Sequence, residues 1–261
     1  MKHKFISTLF ITLGLHVMPA NAANQPVFQV ATIGSLTQGV YDGDYTYGNL
    51  MKHGDFGLGT FLDLNGEMVA IDGSYYQIEA NGKLKSVRTS QIVPFAEVTF
   101  FHPQMQKTLS AIHDYQQLGK TLNAYFGNKN IPHAIRIDGT FKSLTLRSLR
   151  KQKKPYPLLT KASSEQAIFH LNNVEGSIVG FWFPKYWAGI AVPGLHLHFV
   201  TKDRSTGGHV LEIELDKNAQ VSLQSLQTVE VYLPATTSFA KTNLSDENLQ
   251  HSIKKAEGGS E

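Results

Sequence analysis

The sequence predicts a β-rich α+β fold, with mixed or antiparallel sheets in two intimately packed subdomains, a few helices and a C-terminal helical tail. Three features carry that expectation. Turn-forming pairs recur between short apolar stretches, at Asn65-Gly66, Asp72-Gly73 and Asn81-Gly82. Stretches such as residues 194–199 and 209–215 alternate with the period of two that a half-buried strand requires. Helical spacing is confined to residues 107–126, 163–171 and 245–257.

Taken in order, residues 27–38 alternate weakly and predict a first strand or an arm, and residues 41–45 read as a turn. Residues 60–64 and 67–71 flank Asn65-Gly66 as a predicted hairpin, and residues 92–101, rich in Val, Phe and Thr, predict another strand. Leu109, Ile112, Leu118, Leu122 and Tyr125 predict one helix over 107–126, ended by Gly127. Residues 133–138 and 141–148 predict a hairpin across Gly139-Thr140. Ser163 and Gln166, at capping-box spacing, predict a short helix over 163–171. An apolar strand over 174–183 stops at Pro184, and further strands fall near 220–224 and 228–233. Leu249, Ile253 and Ala256 predict an amphipathic helix over 245–257, with Ser245 as its N-cap and a frayed end at 258–261. The expected organisation is a subdomain over 23–172, a second over 173–240 and a tail over 241–261.

The first residues read as an export signal. Lys2 and Lys4 precede an apolar run from Phe5 to Met18, and Ala20-Asn21-Ala22 has the small-x-small pattern of a cleavage site. That run is too short for a membrane span. The expected mature protein is periplasmic or secreted, with no membrane segment. The chain has 24 Lys and Arg against 21 Asp and Glu, and losing Lys2 and Lys4 leaves it nearly neutral. Its basic character is therefore no argument for nucleic acid. There are no cysteines, which excludes thiolate metal ligands and cysteine nucleophiles.

The chemistry concentrates in Gly194-Leu195-His196-Leu197-His198-Phe199 and Gly207-Gly208-His209. On a strand, His196 and His198 share a face. The intervening loop, with Lys202, Asp203, Arg204 and two glycines, is hairpin chemistry that returns His209 beside His198. Three imidazoles with an open position suit a catalytic divalent ion; without sulfur ligands, zinc or another borderline ion is expected. Glu67 shares a strand face with Val69 and Ile71, where a raised pKa would suit a proton carrier, although spacing alone equally describes a solvated acid beside a turn. Arg147 shares a face with Phe141, Ser143 and Thr145, either as a surface residue or as a two-bond clamp for a carboxylate. Glu257 lies one turn beyond Ile253, carried inward if the tail docks and frayed if it does not. The glycine-rich Asp55 to Thr60 lacks the lysine and helix of a phosphate loop and instead suggests close strand approach that presents the Thr60 hydroxyl.

These segments, read together, resemble a known family. Tyr45-Thr46-Tyr47-Gly48, Gly54-Asp55-Phe56-Gly57-Leu58-Gly59-Thr60-Phe61, Leu64-Asn65-Gly66-Glu67-Met68 and Ile71-Asp72-Gly73 are similar to the N-terminal half of acetolactate decarboxylases. Ala134 to Phe141, Lys154-Pro155-Tyr156-Pro157 and the histidine segments continue the resemblance, which departs locally at Leu149-Arg150-Lys151. It implies a homodimeric carboxy-lyase that converts (S)-2-acetolactate to (R)-acetoin and carbon dioxide, with no organic cofactor. It further implies zinc on His196, His198 and His209 as a Lewis acid, Glu67, Arg147 and Glu257 as catalytic residues, and Thr60 and Arg147 as substrate contacts. The competing expectations are an exported three-His zinc hydrolase or hydratase, and a non-enzymatic metal- or sugar-binding module.

Overall fold

The computed structural model describes residues 25–245 and 249–257, so the export signal read over 1–22 and the fraying read over 258–261 lie outside the described residues. Strand β1 (Val27–Val30) is followed by helix α1 (Ile33–Thr37), whose first turn is capped by the Thr32 hydroxyl accepting from the Ser35 amide. The single strand or arm expected over 27–38 is thus divided, and Ala31, at φ 58°, makes the break. Short β2 (Tyr45–Thr46) and α2 (Tyr47–Leu50) lead into β3 (Phe56–Thr60), which pairs antiparallel with β4 (Glu67–Ile71). The strand expected over 60–64 is absent, because Leu62–Leu64 form a 3-10 turn after Thr60. Asn65-Gly66 therefore steers the end of a longer connection rather than closing a two-residue hairpin. Gly66 has φ 92°, and a Cβ there would lie 2.3 Å from the Ile78 carbonyl oxygen. Strands β5 (Ser74–Ile78) and β6 (Leu84–Ser86) extend the meander. The strand expected over 92–101 is split by Pro94 into β7 (Ile92–Val93) and β8 (Phe95–Thr99).

The helix expected over 107–126 is shorter. Leu109 ends strand β9 (Met105–Leu109), Ile112 bridges Leu215, and only α3 (Tyr115–Tyr125), capped by Asp114, is helical. Leu109, Ile112, Leu118 and Leu122 nevertheless enter one core, which explains their helix-like spacing. No hairpin forms at Gly139-Thr140. Strand β10 (His133–Ser148) runs straight through, its Gly139 opposite Gly176 of β11 (Ala167–Phe183). The helix expected over 163–171 is likewise replaced: α4 (Leu159–Ser163) ends where it was to begin, and pairing with β10 makes the rest strand. The histidine hairpin forms as β12 (Gly194–Thr201) and β13 (Gly207–Glu214), followed by β14 (Ala219–Ser225), β15 (Val229–Tyr232), α5 (Thr237–Lys241) and α6 (Leu249–Glu257). The stretch 246–248, on which a cap by Ser245 depends, lies outside the described residues.

A seven-stranded sheet runs β15-β1-β8-β3-β4-β5-β6, with β15 parallel to β1 and the other pairs antiparallel. A six-stranded sheet runs β11-β12-β13-β10-β14-β9, and an extra β10–β11 pairing closes its first four strands into a ring. The subdomain boundary expected at 172/173 falls inside β11, and β15 crosses back to the first sheet, so chain order does not divide the fold in two. Phe56, Leu58, Val69 and Ile71 pack between the sheets against Val179, Phe181 and Val200. The opposite face of the ring, with Leu197 and Phe199, packs on Leu118 and Leu122 of α3. Each such side chain contributes roughly 1.5–3 kcal/mol by leaving water. That division of β12 forces His196 and His198 to the side facing the seven-stranded sheet. Among the described residues, no helix is long and apolar enough to cross a membrane.

Candidate active site

Strict alternation along β13 would leave His209 on the face of Ile213, inside the apolar ring. A register shift prevents it. Thr145 pairs with Glu212 but Leu146 with Val210, leaving Leu211 as an extra residue. This bulge turns His209 onto the face of His198, its direct partner, and sets it opposite Arg147. The three imidazoles are buried, with ring centroids 5.2 Å apart in every pair and potential ligand atoms within 4.8 Å of one another.

Glu67, at the start of β4, enters from the facing sheet with its Oε2 3.7 Å from His198 Nε2. Thr60, its cross-strand neighbour, lines the same cavity and donates its hydroxyl to the Gly66 carbonyl at 2.7 Å. Helix α6 docks, with Leu249, Ile253 and Ala256 against Ile33, Leu36, Leu159 and Ala162. It carries Glu257 inward, so that Oε2 lies 2.7 Å from Arg147 Nη2, 3.7 Å from His196 Nε2 and 3.8 Å from His209 Nδ1. Arg147 Nη1 donates to the Ala256 carbonyl, and His209 Nε2 lies 3.1 Å from that of Glu257. Carbonyls that end a helix have no partner within it, and a cation suits that negative end. The two-bond fork expected of Arg147 is therefore engaged by the tail. Its Nε, 3.9 Å from Glu67 Oε1, is left without a hydrogen-bond partner.

The burial has electrostatic consequences. Desolvation pushes His196 down to about 3 and holds His198 and His209 well below the usual imidazole range, so all three are neutral and keep a lone pair. His198 Nδ1 donates to the Met68 carbonyl at 2.8 Å, leaving Nε2 without a partner, and His209 Nδ1 is left so too. Orphaned, buried, neutral nitrogens beside a carboxylate fit a divalent cation of borderline softness. Burial also pushes Glu67 up to about 8, against the opposing pull of Arg147. Glu257 is raised by burial as well, with Arg147 pulling it back.

The residue that sequence reasoning missed is Glu97, in the middle of β8. It is fully buried, neither carboxylate oxygen has a hydrogen-bond partner, and burial pushes it up to about 8. Its Oε2 lies 4.0 Å from His196 Nδ1. The available signal was a lone acid within an apolar strand, on the face of Phe95 and Thr99. Elsewhere His133 is structural, its Nε2 2.7 Å from the Asn128 carbonyl and its ring stacked on Phe126. Phe181 and Phe183 are buried in the core between the sheets.

Residues 27–246 match the family model described as alpha-acetolactate decarboxylase. This chain belongs to the alpha-acetolactate decarboxylase family. An alpha-acetolactate decarboxylase from Brevibacillus brevis is 43% identical over 230 residues, covering 87% of this chain and 80% of that protein. One from Methanosarcina mazei is 41% identical over 239 residues, covering 91% of this chain and 82% of that protein. The crystal structure of alpha-acetolactate decarboxylase from Bacillus subtilis strain 168 superposes with a TM-score of 0.87 at 38% identity, covering 90% of this chain and all of that one. The alpha-acetolactate decarboxylase fold and its carboxy-lyase activity thus replace the hydrolase and binding-module alternatives. The three-His group could hold a metal in this decarboxylase.

Proposed function

We propose that the chain converts (S)-2-acetolactate to (R)-acetoin and carbon dioxide at a zinc site held by His196, His198 and His209, with the Glu257 carboxylate beside it. One observation supports this reading most: three neutral imidazoles converge beside a guanidinium and an acid that can hold a proton near neutrality, at a cavity lined by His196, His198, Glu67 and Arg147. The cation supplies a Lewis acid for the ketone and hydroxyl oxygens of the substrate.

The chain's own residues do the rest. The unpartnered Arg147 Nε binds the substrate carboxylate with a charge-assisted bond, holding the breaking bond in line with the ketone π-system. As that bond breaks, carbon dioxide leaves and its electron pair moves toward the ketone. One proton must then reach carbon. Glu67 is the donor, because its Oε1 is unpartnered and its carboxyl titrates near neutrality, whereas Glu257 is tied to Arg147 at 2.7 Å. Delivery from β4 reaches one face only, which gives a single enantiomer. Ile33, Leu36, Leu64, Phe95 and Leu149 form an apolar wall for the two methyl groups and exclude water. Thr60 lines the same cavity.

Export rests on the pattern of residues 1–22, and a homodimer through free strand edges such as β6 or β9 completes the reading. The test is acetoin formation from racemic acetolactate by purified protein, as isolated, after chelation and after return of zinc. Activity should vanish with chelator, return with zinc and consume half of the racemate fastest. Acetoin no faster than the uncatalysed background in the zinc-loaded protein would refute the proposal.

A further inference from the structure

We infer that Glu97 is a positioning residue: its carboxylate accepts the Nδ1–H of His196 and so fixes the tautomer that turns Nε2 toward the metal. This rests on the metal site proposed above.

A metal-binding imidazole needs its second nitrogen held, because that bond sets both tautomer and ring orientation. Two of the three have backbone partners. His198 Nδ1 lies 2.8 Å from the Met68 carbonyl and His209 Nε2 3.1 Å from that of Glu257. His196 Nδ1 alone has none. Facing it at 4.0 Å is Glu97 Oε2, on a carboxylate that is fully buried with both oxygens unpartnered.

The neighbours of Glu97 on β8 offer it nothing better. Leu58 of β3 is apolar. Gln29 of β1 already gives both hydrogens of its side-chain amide away, to the Ala31 and Ile190 carbonyls at 2.7 Å each. A buried carboxylate without a donor is destabilising, and so is an unmade N–H bond beside it. The 4.0 Å separation is short for a bridging water, whose two hydrogen bonds span about 4.6 Å at a tetrahedral angle. A side-chain movement of roughly 1 Å brings it to hydrogen-bond length. The bond would also make His196 Nε2 a stronger base and hence a better ligand.

Zinc affinity, measured by competition with a chelating dye, separates this from a packing role. Wild type, Glu97→Gln and Glu97→Leu are compared, together with nitrogen NMR of labelled histidine in the zinc-loaded proteins. Glu97→Leu should bind zinc about 10- to 100-fold more weakly. Glu97→Gln, which keeps an acceptor, should lose less. In wild type the His196 proton should sit on Nδ1 with the low-field shift of a strong hydrogen bond. Zinc bound by Glu97→Leu within twofold of wild type overturns the inference and leaves the metal site standing. Failure of wild type to bind zinc overturns both. Should Glu97→Leu not fold, the wild-type spectrum decides: a proton on His196 Nε2 overturns the inference.

Discussion

Replacing Arg147 with alanine should release α6 from the metal-free protein while leaving both sheets intact. The Arg147 side chain is 2% exposed and holds the tail at two points, the Glu257 carboxylate at 2.7 Å and the Ala256 carbonyl, while also reaching Gln166 Oε1 at 3.3 Å. Its loss leaves a carboxylate whose side chain is 6% exposed without its cation. Breaking one side of a buried pair costs roughly 3–5 kcal/mol, a factor of about 10² to 10⁴ in the ratio of docked to undocked tail. A helix of nine residues has no stability of its own to offset that. Hydrogen exchange reads the outcome directly. Amides of Leu249–Glu257 should lose protection in R147A, while those of β12 and β13 keep theirs. R147K, which keeps the charge and one donor group, should fall between. Because the imidazoles sit on strands, zinc affinity in R147A should weaken without disappearing. Wild-type protection of α6 in chelated R147A would refute the argument that this contact holds the tail.

Other consequences follow from the same geometry. Glu67 and Glu97 titrate near 8 in the folded, metal-free chain against an ordinary 4.5, so between pH 6.5 and 8 the folded state holds protons that the unfolded state has lost. Stability should therefore fall as pH rises through that window, by up to roughly 1.4 kcal/mol per pH unit for each group, and bound zinc should flatten the fall; thermal melts with and without chelator check this, and a chelated Tm that rises with pH contradicts it. Glu67→Gln should lower kcat by about 10²- to 10⁴-fold with zinc affinity little changed, and a kcat within tenfold of wild type would remove Glu67 from proton transfer. Gly66→Ala, at φ 92° with its Cβ 2.3 Å from the Ile78 oxygen, should cost roughly 2–3 kcal/mol and displace Glu67; an unchanged Tm would contradict that strain.

The legible parts of the site were those written in local period. His-Leu-His alternates on a strand, and a polar glycine-rich loop returns the chain, so the pairing of His198 with His209 followed from spacing. The Leu211 bulge that makes the pairing useful was not legible, because a bulge reflects fit between two strands rather than the pattern of one. The same limit explains Gly139-Thr140, a turn signal overruled by fifteen paired positions between β10 and β11. It explains Leu109 and Ile112 too, whose helical spacing serves a strand and a bridge over one core. Glu257 and Arg147 gained their roles from the family resemblance; neither pattern alone foretold that the end of α6 would close over the guanidinium. Glu97 escaped notice because a single acid inside a strand has no spacing to betray it.

Central to the proposed chemistry is a divalent cation held by His196, His198 and His209 beside Glu257. Anomalous diffraction from zinc-loaded crystals, recorded on either side of the zinc absorption edge, tests it most directly. The predicted result is a single strong peak at bonding distance from His198 Nε2, His209 Nδ1 and His196 Nε2. No peak among these nitrogens, or the principal peak elsewhere on the chain, would contradict it.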